Sequence, residues 1–287
     1  MGQRAEAAET VISGKLSADF ARAAGYPELG AAQARFGRTT ATRLAARPGH
    51  AAYNKARGFS AQDGARLAEI CAFFDRAAVP PVIEVWAGDA SAQLGQRLAR
   101  AGFYAAEVNA TLIAALGAPP PGPDPEPEVR EIGADEDDTV YLDTLFEGYG
   151  LGGDEARASR IMMAIEHRSP GLRRYLAYAG GRPAAAGGLY AAGRQGYLAG
   201  AATVPGLRSR GCQGALIRRR LRDAAAVADQ VVVTTAFGSP SQANLERLGL
   251  ASSIPEPCGV VWANPGRDPP WRRLPHHRAL RRPPDAT

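Results

Sequence analysis

The sequence LAGAATVPGLRSRGCQGALIRRRLRDAAA, residues 198–226, is the most informative stretch of this chain. It predicts a short apolar strand, a turn broken by proline, a loop rich in arginine and glycine, and then a helix. Gly211 and Gly214 lack a Cβ atom, so the loop backbone can approach a ligand closely. The free N–H groups and positive dipole end of the following helix favour an anion. Arg208 and Arg210 add charged donors, so the stretch predicts a diphosphate site for a nucleotide-like cofactor rather than a metal site.

The sequence around this stretch predicts a mixed α/β sheet. Strands are predicted at 128–132, 174–179, 183–191, 197–203, 231–235 and 259–263, and helices at 134–147, 155–167, 214–228 and 239–248. The pair Gly180–Gly181 is typical of a hairpin turn between two of these strands. The predicted order is β-α-α-β-β-β-α-β-α-β.

Two proline-rich segments divide the chain. LGAPPPGPDPEPE, residues 116–128, has no apolar periodicity and predicts an extended linker. The predicted organisation is a first half at 1–116, a linker at 117–128, a second half at 129–264, and a disordered Pro/Arg-rich tail at 265–287.

The first half resembles the end of the second half. RLARAGF (97–103) is similar to LERLGL (245–250), and ATLIAAL (110–116) falls where GVVWANP (259–265) falls. A strand at 82–86, a helix at 90–101 and an amphipathic helix at 61–78 are also predicted. These similarities favour an internal duplication, although common α/β patterning is an alternative.

Composition limits the classes of function. Hydrophobic residues make up 45% of the chain and charged residues 22%, as in soluble globular proteins. The tail contributes four of the five formal positive charges, six arginines against two aspartates, so a nucleic-acid groove across the folded body is not expected. Three widely spaced cysteines predict neither a disulfide framework nor a metal site. With no signal-like or membrane-spanning run, a cytoplasmic location is the expectation, and the oligomeric state stays open.

Two motifs resemble those of the GCN5-related N-acetyltransferase (GNAT) superfamily. RSRGCQGALIRRRL is similar to the family's Arg-x-x-Gly-x-Gly/Ala loop, with Gln213 at the position of the second small residue. Ser241-x-x-Asn244-x-x-Arg247-x-Gly249 is similar to the family's asparagine-containing helix, with Leu250 in place of an aromatic residue. The resemblance covers nearly all of 129–264. It implies an acyl-CoA N-acyltransferase fold, in a tandem arrangement with a degenerate first copy.

The resemblance also implies a donor and its binding residues. Acetyl-CoA would be the co-substrate and an amine the acceptor, with no metal. The implied coenzyme contacts are the strand residues Ala202, Thr203 and Val204, the loop and helix residues Arg208, Ser209, Arg210, Gly211, Cys212, Gln213, Gly214 and Ala215, and Asn244. The corresponding loop of the first half, 54–65, lacks the glycine and arginine spacing and carries Asp63, so one coenzyme per chain is expected.

Several side chains allow more than one interpretation. Cys212 is expected to be a buried thiol, with a reactive thiol as the alternative. The arginines at 218, 219, 220 and 222 predict a solvated helix face rather than a nucleic-acid site, and His167 is expected at the surface.

The catalytic residues are not identified by the sequence. Amine acetylation needs the neutral amine, whose ammonium pKa is near ~10. The predicted strand 197–203 contains no carboxylate, and no tyrosine follows Asn244 in its helix. Tyr190 and Ser241 are weak candidates to assist a water chain. The predicted function is acetyl-CoA-dependent N-acetylation of a small molecule or peptide. The alternatives are a non-catalytic coenzyme A-binding or interaction module and nucleic-acid binding through the tail.

Overall fold

The computed structural model describes residues 3–117, 127–252 and 259–264, which form a mixed α/β structure. Most of the predicted linker, Cys258 and the predicted tail lie outside the described residues. The described α-helices are α1 Gln3–Ala23, α2 Leu67–Asp75, α3 Ala92–Arg100, α4 Thr139–Gly148, α5 Ala156–His167, α6 Cys212–Ala224 and α7 Pro240–Arg247. The described strands are β1 Ala31–Phe36, β2 Thr39–Leu44, β3 Lys55–Arg57, β4 Val82–Val85, β5 Tyr104–Ala115, β6 Val129–Ile132, β7 Leu172–Ala179, β8 Arg182–Ala192, β9 Gln195–Tyr197, β10 Ala201–Thr203, β11 Gln230–Ala236, β12 Ala251–Ser252 and β13 Val260–Ala263.

All of these strands belong to one sheet. Its path is β1-β2-β3-β4-β13-β5-β11-β9-β8-β7-β6, while β10 pairs with β8 and β12 pairs with β5. Helix α6 covers the second half's largest apolar cluster, which includes Leu216, Ile217 and Val231. Helix α2 supplies Ile70 and Phe74 to a separate cluster in the first half.

The final strand of each half lies beside a strand of the other half. From the first half, β5 pairs antiparallel with β11, from Gln230↔Ala115 to Ala236↔Asn109. From the second half, β13 lies between β4 and β5, and Trp262 packs against the apolar cluster of the first half. Each half therefore completes the sheet of the other.

Helix α1, which the sequence analysis did not predict, also joins the two halves. It packs against β1 and β2 and against α5 and β9. Lys15 and Asp19 are buried in this contact, with 2.6 Å between Nζ and Oδ2. Lys15 also donates to the Glu166 carbonyl oxygen at 3.0 Å, and Arg22 donates to the Ile165 carbonyl oxygen at 2.7 Å. None of the helices in the described ranges is both long and apolar enough to span a membrane.

Three predicted elements differ from the structure. The helix predicted at 134–147 begins only at Thr139, because Asp138 accepts hydrogen bonds from Arg168 and Arg174 that fix the preceding turn. The helix predicted at 61–78 is a 3₁₀ segment followed by α2. The strand predicted at 197–203 is interrupted between β9 and β10.

Candidate functional site

A β-bulge separates β9 from β10. Tyr197 is opposite Tyr190 and Ala201 is opposite Gly187, so β9–β10 has one more residue here than β8. The Gly188 N–H is shared by the carbonyl oxygens of Ala199 and Gly200, at 2.9 and 3.0 Å. Gly200 has a φ of +36°, and a Cβ atom there would lie 2.8 Å from the His167 ring. The bulge therefore needs glycine for both its conformation and its packing.

The parallel strands β9 and β11 diverge at this bulge. They pair as far as Val232↔Tyr197, and the Leu198 N–H donates to the Val232 carbonyl oxygen at 2.9 Å. Beyond that point β11 continues against β5, whereas β10 pairs with β8 and, within the described residues, with no strand on its other side. A gap lined by backbone therefore opens between β10 and β11.

The predicted anion loop connects β10 to α6. Pro205–Leu207 forms a 3₁₀ turn, and Ser209 and Gly211 have φ values of +60° and +78°. Gly211 is the N-cap of α6, and Arg208 and Arg210 are exposed beside it. The loop thus places exposed cationic side chains beside the start of a 13-residue helix.

The α6 residues implied as coenzyme contacts differ in exposure. Gln213 and Gly214 are half-buried, whereas Cys212 is 2% exposed and Ala215 is fully buried in the core. Burial raises the pKa of the Cys212 thiol, which agrees with the expectation of a buried, inert cysteine.

The two sequence motifs meet through hydrogen bonds. Gln213 Nε2 donates to Ser241 Oγ at 3.0 Å, and Asn244 Nδ2 donates to Gln213 Oε1 at 2.5 Å. Arg247 in turn donates to Asn244 Oδ1. Gln213, which replaces a small residue of the motif, therefore connects α6 to α7.

The expectation of a solvated arginine face on α6 is wrong for Arg220. Arg220 is 2% exposed and donates to the carbonyl oxygens of Leu216 and Gly188, both at 3.1 Å. Burial lowers its pKa to about 10. Arg219 forms an ion pair with Asp223 at 3.1 Å. The Arg220 contact supports the backbone next to the bulge.

A cavity of about 370 Å³, here called the inter-half cavity, lies over the bulge. Its wall is formed by α1, by residues 50–57, and by α4, α5 and β9 with their connecting segments. The lining residues are Ile12, Lys15, Leu16, Asp19, His50, Ala52, Tyr53, Arg57, Tyr149, Leu151, Met163, Glu166, His167, Tyr197, Ala199 and Gly200. Its volume suits a small-molecule ligand.

Glu166 places a carboxyl group in this cavity. Its Oε2 accepts a hydrogen bond of 2.9 Å from the Tyr53 hydroxyl of the first half. Burial and the charge of Asp19 raise the pKa of Glu166 to about 7, although Lys15 and Arg57 act in the opposite direction. A carboxyl with this pKa can exchange a proton near neutral pH.

The surface position expected for His167 is wrong. Its side chain is 4% exposed, and Nδ1 is 2.7 Å from the Tyr141 hydroxyl. Burial, together with the charge of Lys15, lowers the pKa of His167 to about 3, so the imidazole is neutral at physiological pH. We interpret it as a packing group above Gly200 rather than as the base.

Neither catalytic candidate from the sequence lines the inter-half cavity. Tyr190 packs under α1, with Lys15 Nζ 5.9 Å from its ring centroid, and Ser241 contacts Gln213. Sequence reasoning missed Glu166, which occurs in the predicted helix 155–167 next to His167. The sequence feature that could have identified it is the pair of adjacent titratable residues, Glu166 and His167, after an apolar turn of that helix.

The first-half loop at 54–65, which the sequence pairs with the α6 loop, differs from it. Asp63 is buried, and its Oδ2 accepts hydrogen bonds from the Thr39 N–H at 3.1 Å and the Thr39 hydroxyl at 2.8 Å. A Cβ atom on Gly64 would lie 1.9 Å from Nη1 of Arg97. The space around this loop is therefore taken by the Asp63 carboxylate and the Arg97 guanidinium.

The described residues contain no group of three His, Cys, Asp or Glu side chains arranged to hold a metal ion.

Comparison with known proteins finds similarity at the level of structure. The chain matches no protein-family model and no curated protein. A GCN5-related N-acetyltransferase from Kribbella flavida has a TM-score of 0.59 at 16% identity, over 90% of this chain and 96% of that chain. A functionally unknown conserved protein from Staphylococcus epidermidis has a TM-score of 0.58 at 10% identity, over 82% and 94%. A GCN5-related N-acetyltransferase from Sphaerobacter thermophilus has a TM-score of 0.51 at 14% identity, over 66% and 62%. These matches confirm the predicted fold class, the mixed α/β fold of acyl-CoA N-acyltransferases.

Proposed function

We propose that this chain is an acetyl-CoA-dependent N-acetyltransferase that acetylates a small amine bound in the inter-half cavity. The observation that supports it is the divergence of β10 from β11, which starts at the bulge on the wall of the cavity that contains Glu166. A gap for the donor and a cavity for the acceptor therefore meet at one place in the backbone.

The residues around the gap fit coenzyme A. The Val204 N–H donates to the Ala184 carbonyl oxygen at 2.9 Å, so its backbone is directed toward β8. Because backbone groups alternate along a strand, Thr203 has its N–H and C=O directed into the gap, where they can bind the pantetheine arm. The pyrophosphate would lie on the loop from Arg208 to Gly214, at the start of α6. Asn244 would contact the arm from α7.

The residues of the cavity supply the proton transfer. When bound, acetyl-CoA supplies an activated acyl group with a good thiolate leaving group. Glu166, as the carboxylate, accepts the proton that the acceptor's ammonium must lose before its nitrogen can attack. The Tyr53 hydroxyl holds that carboxylate, and the cavity fixes the amine near the bulge.

The test is release of free thiol from acetyl-CoA by the full chain with a panel of amines. We expect turnover with some amine. Arg208→Ala should raise KM for acetyl-CoA about tenfold or more, because a hydrogen bond to a charged group contributes about 1.5–3 kcal/mol. Arg182→Ala is the matched control, because Arg182 is exposed at the start of β8.

Two results would contradict the proposal. Acetyl-CoA binding without turnover of any amine would favour the alternative of a non-catalytic coenzyme A-binding module. Absence of acetyl-CoA binding would reject both.

A further inference from the structure

Within the described residues, the charges in the inter-half cavity are not all compensated. Asp19 is paired with both Lys15 and Arg22, each at 2.6 Å. The charge of Arg57 helps to lower the pKa of Glu84, but Glu84 forms its salt bridge with Lys55, with 2.7 Å between Oε2 and Nζ. Asp19 and Glu84 therefore have other cationic partners, whereas Glu166, on which the charge of Arg57 also acts, accepts a hydrogen bond from Tyr53.

Arg57 has a donor group without a partner. Its Nη2 donates to the Ala52 carbonyl oxygen at 2.8 Å, whereas its Nη1 is buried and has no hydrogen-bond partner among the described residues. A guanidinium stays charged at all physiological pH values, and a buried donor left without an acceptor is costly. The same segment presents a second such atom, Nδ1 of His50, whose ring stacks on Tyr53 at 4.2 Å. Arg57 and His50, which both line the cavity, thus each carry a polar atom without a partner among the described residues.

We propose, on the basis of the proposed function, that the acceptor is an amino acid-type molecule, with a primary amine directed at Glu166 and one carboxylate bound by Arg57. Both residues line the same cavity, one from each half. Arg57 would be a specificity-determining residue that the first half contributes to the site of the second.

The remaining lining restricts the acceptor further. Ile12, Leu16, Leu151 and Met163 form apolar wall, which suits an aliphatic side chain. One guanidinium balances one negative charge, which matches a carboxylate more closely than a dianionic phosphate, and an ionised Glu166 would repel the dianion more strongly. We therefore infer an amino acid rather than a phosphorylated amine.

Ligand binding to the full chain tests the proposal without relying on turnover. The twenty amino acids would be screened as pools by saturation-transfer NMR, with and without acetyl-CoA. Each hit would then be compared by calorimetry with its decarboxylated amine and with phosphoethanolamine. We expect the amino acid to bind at least tenfold more tightly than its decarboxylated amine, because a charge-assisted hydrogen bond is lost without the carboxylate.

Variants identify the residue responsible. Arg57→Gln should lower the affinity for the amino acid by a larger factor than the affinity for its decarboxylated amine, and Arg57→Lys should restore part of the preference. Arg35→Gln is the matched control, because Arg35 is exposed on β1 and also donates one hydrogen bond to a backbone carbonyl oxygen.

Several results would overturn the proposal. These are equal binding of the amino acid and its amine, tighter binding of phosphoethanolamine, an equal loss of both affinities in Arg57→Gln, or no hit in any pool. A carboxylate-dependent hit that is never acetylated would instead count against the proposed function and leave the amino acid site supported.

Discussion

Glu166 is the residue on which the proposed chemistry depends. Because its pKa is raised to about 7, kcat/KM should rise with pH up to about 7 and then level off, since the base is active only as the carboxylate. Lys15, Asp19, Tyr53 and Arg57 act on this carboxyl from the first half. Glu166→Gln should lose at least 100-fold in kcat, in the range typical of a general base.

Stability separates this role from a structural one. Between pH 4.5 and about 7 the carboxyl ionises in the unfolded chain but not in the folded one, so folding stability falls as pH rises. Glu166→Gln cannot ionise and so avoids that loss. We expect the free energy of unfolding of Glu166→Gln, relative to that of the parent, to increase by on the order of 1–3 kcal/mol from pH 5 to pH 8. Chemical denaturation at both pH values measures it, with Glu147→Gln, an exposed position on α4, as control. A kcat unchanged in Glu166→Gln would exclude this residue as the base.

Gly200 is the residue that forms the bulge. Gly200→Ala adds a Cβ atom 2.8 Å from the His167 ring at a φ of +36°, so both a clash and backbone strain are expected. Gly180→Ala is the matched control, because Gly180 has a φ of +58° and no atom within 4 Å of a built Cβ. Thermal unfolding should show a loss of about 1–2 kcal/mol for Gly180→Ala and a larger loss, with loss of acetyl transfer, for Gly200→Ala. Equal losses of stability in the two variants would mean that the His167 ring does not pack closely against Gly200.

At the scale of elements, local patterns predicted much of the second half. The anion loop, its helix and the strand at 231–235 follow from apolar runs and glycines that act within a few residues. Helix α1 was missed because the side chains on its buried face include Lys15 and Asp19, which hide the apolar periodicity. Glu166 was missed for a related reason: only the packing of α1 and Tyr53 against α5 turns an ordinary polar position into a shielded one.

The exchange of β5 and β13 could not be predicted either, because apolar alternation does not say which strand is the neighbour.

The position of β13 in the sheet can be tested by truncation. A chain ending at residue 264, which retains β13, is the matched control. A chain ending at 258 exposes the edges of β4 and β5 and loses the packing of Trp262, a loss of about 3 kcal/mol or more. We expect that chain to aggregate or to melt well below the parent. A parent-like melting curve would show that β13 is not needed to complete the sheet.

At the scale of the whole molecule, two halves share one sheet and one cavity. The first half supplies β5 to the edge of β11, and supplies Tyr53, Lys15 and Arg57 to the cavity wall. The second half supplies the gap, the anion loop and Glu166. We therefore expect the first half to shape the acceptor site and the second half to bind the donor, whether or not the halves arose by duplication.

A calorimetric titration of acetyl-CoA into the full chain tests whether the second half alone binds the donor. We expect one site per chain, because the loop at Asp63 and Gly64 is occupied by the chain's own side chains. Arg208→Ala should weaken that site about tenfold or more. Arg66→Ala, an exposed arginine at the corresponding loop of the first half, should leave it unchanged. No binding, two equivalent sites, or a loss of affinity in Arg66→Ala instead of Arg208→Ala would contradict it.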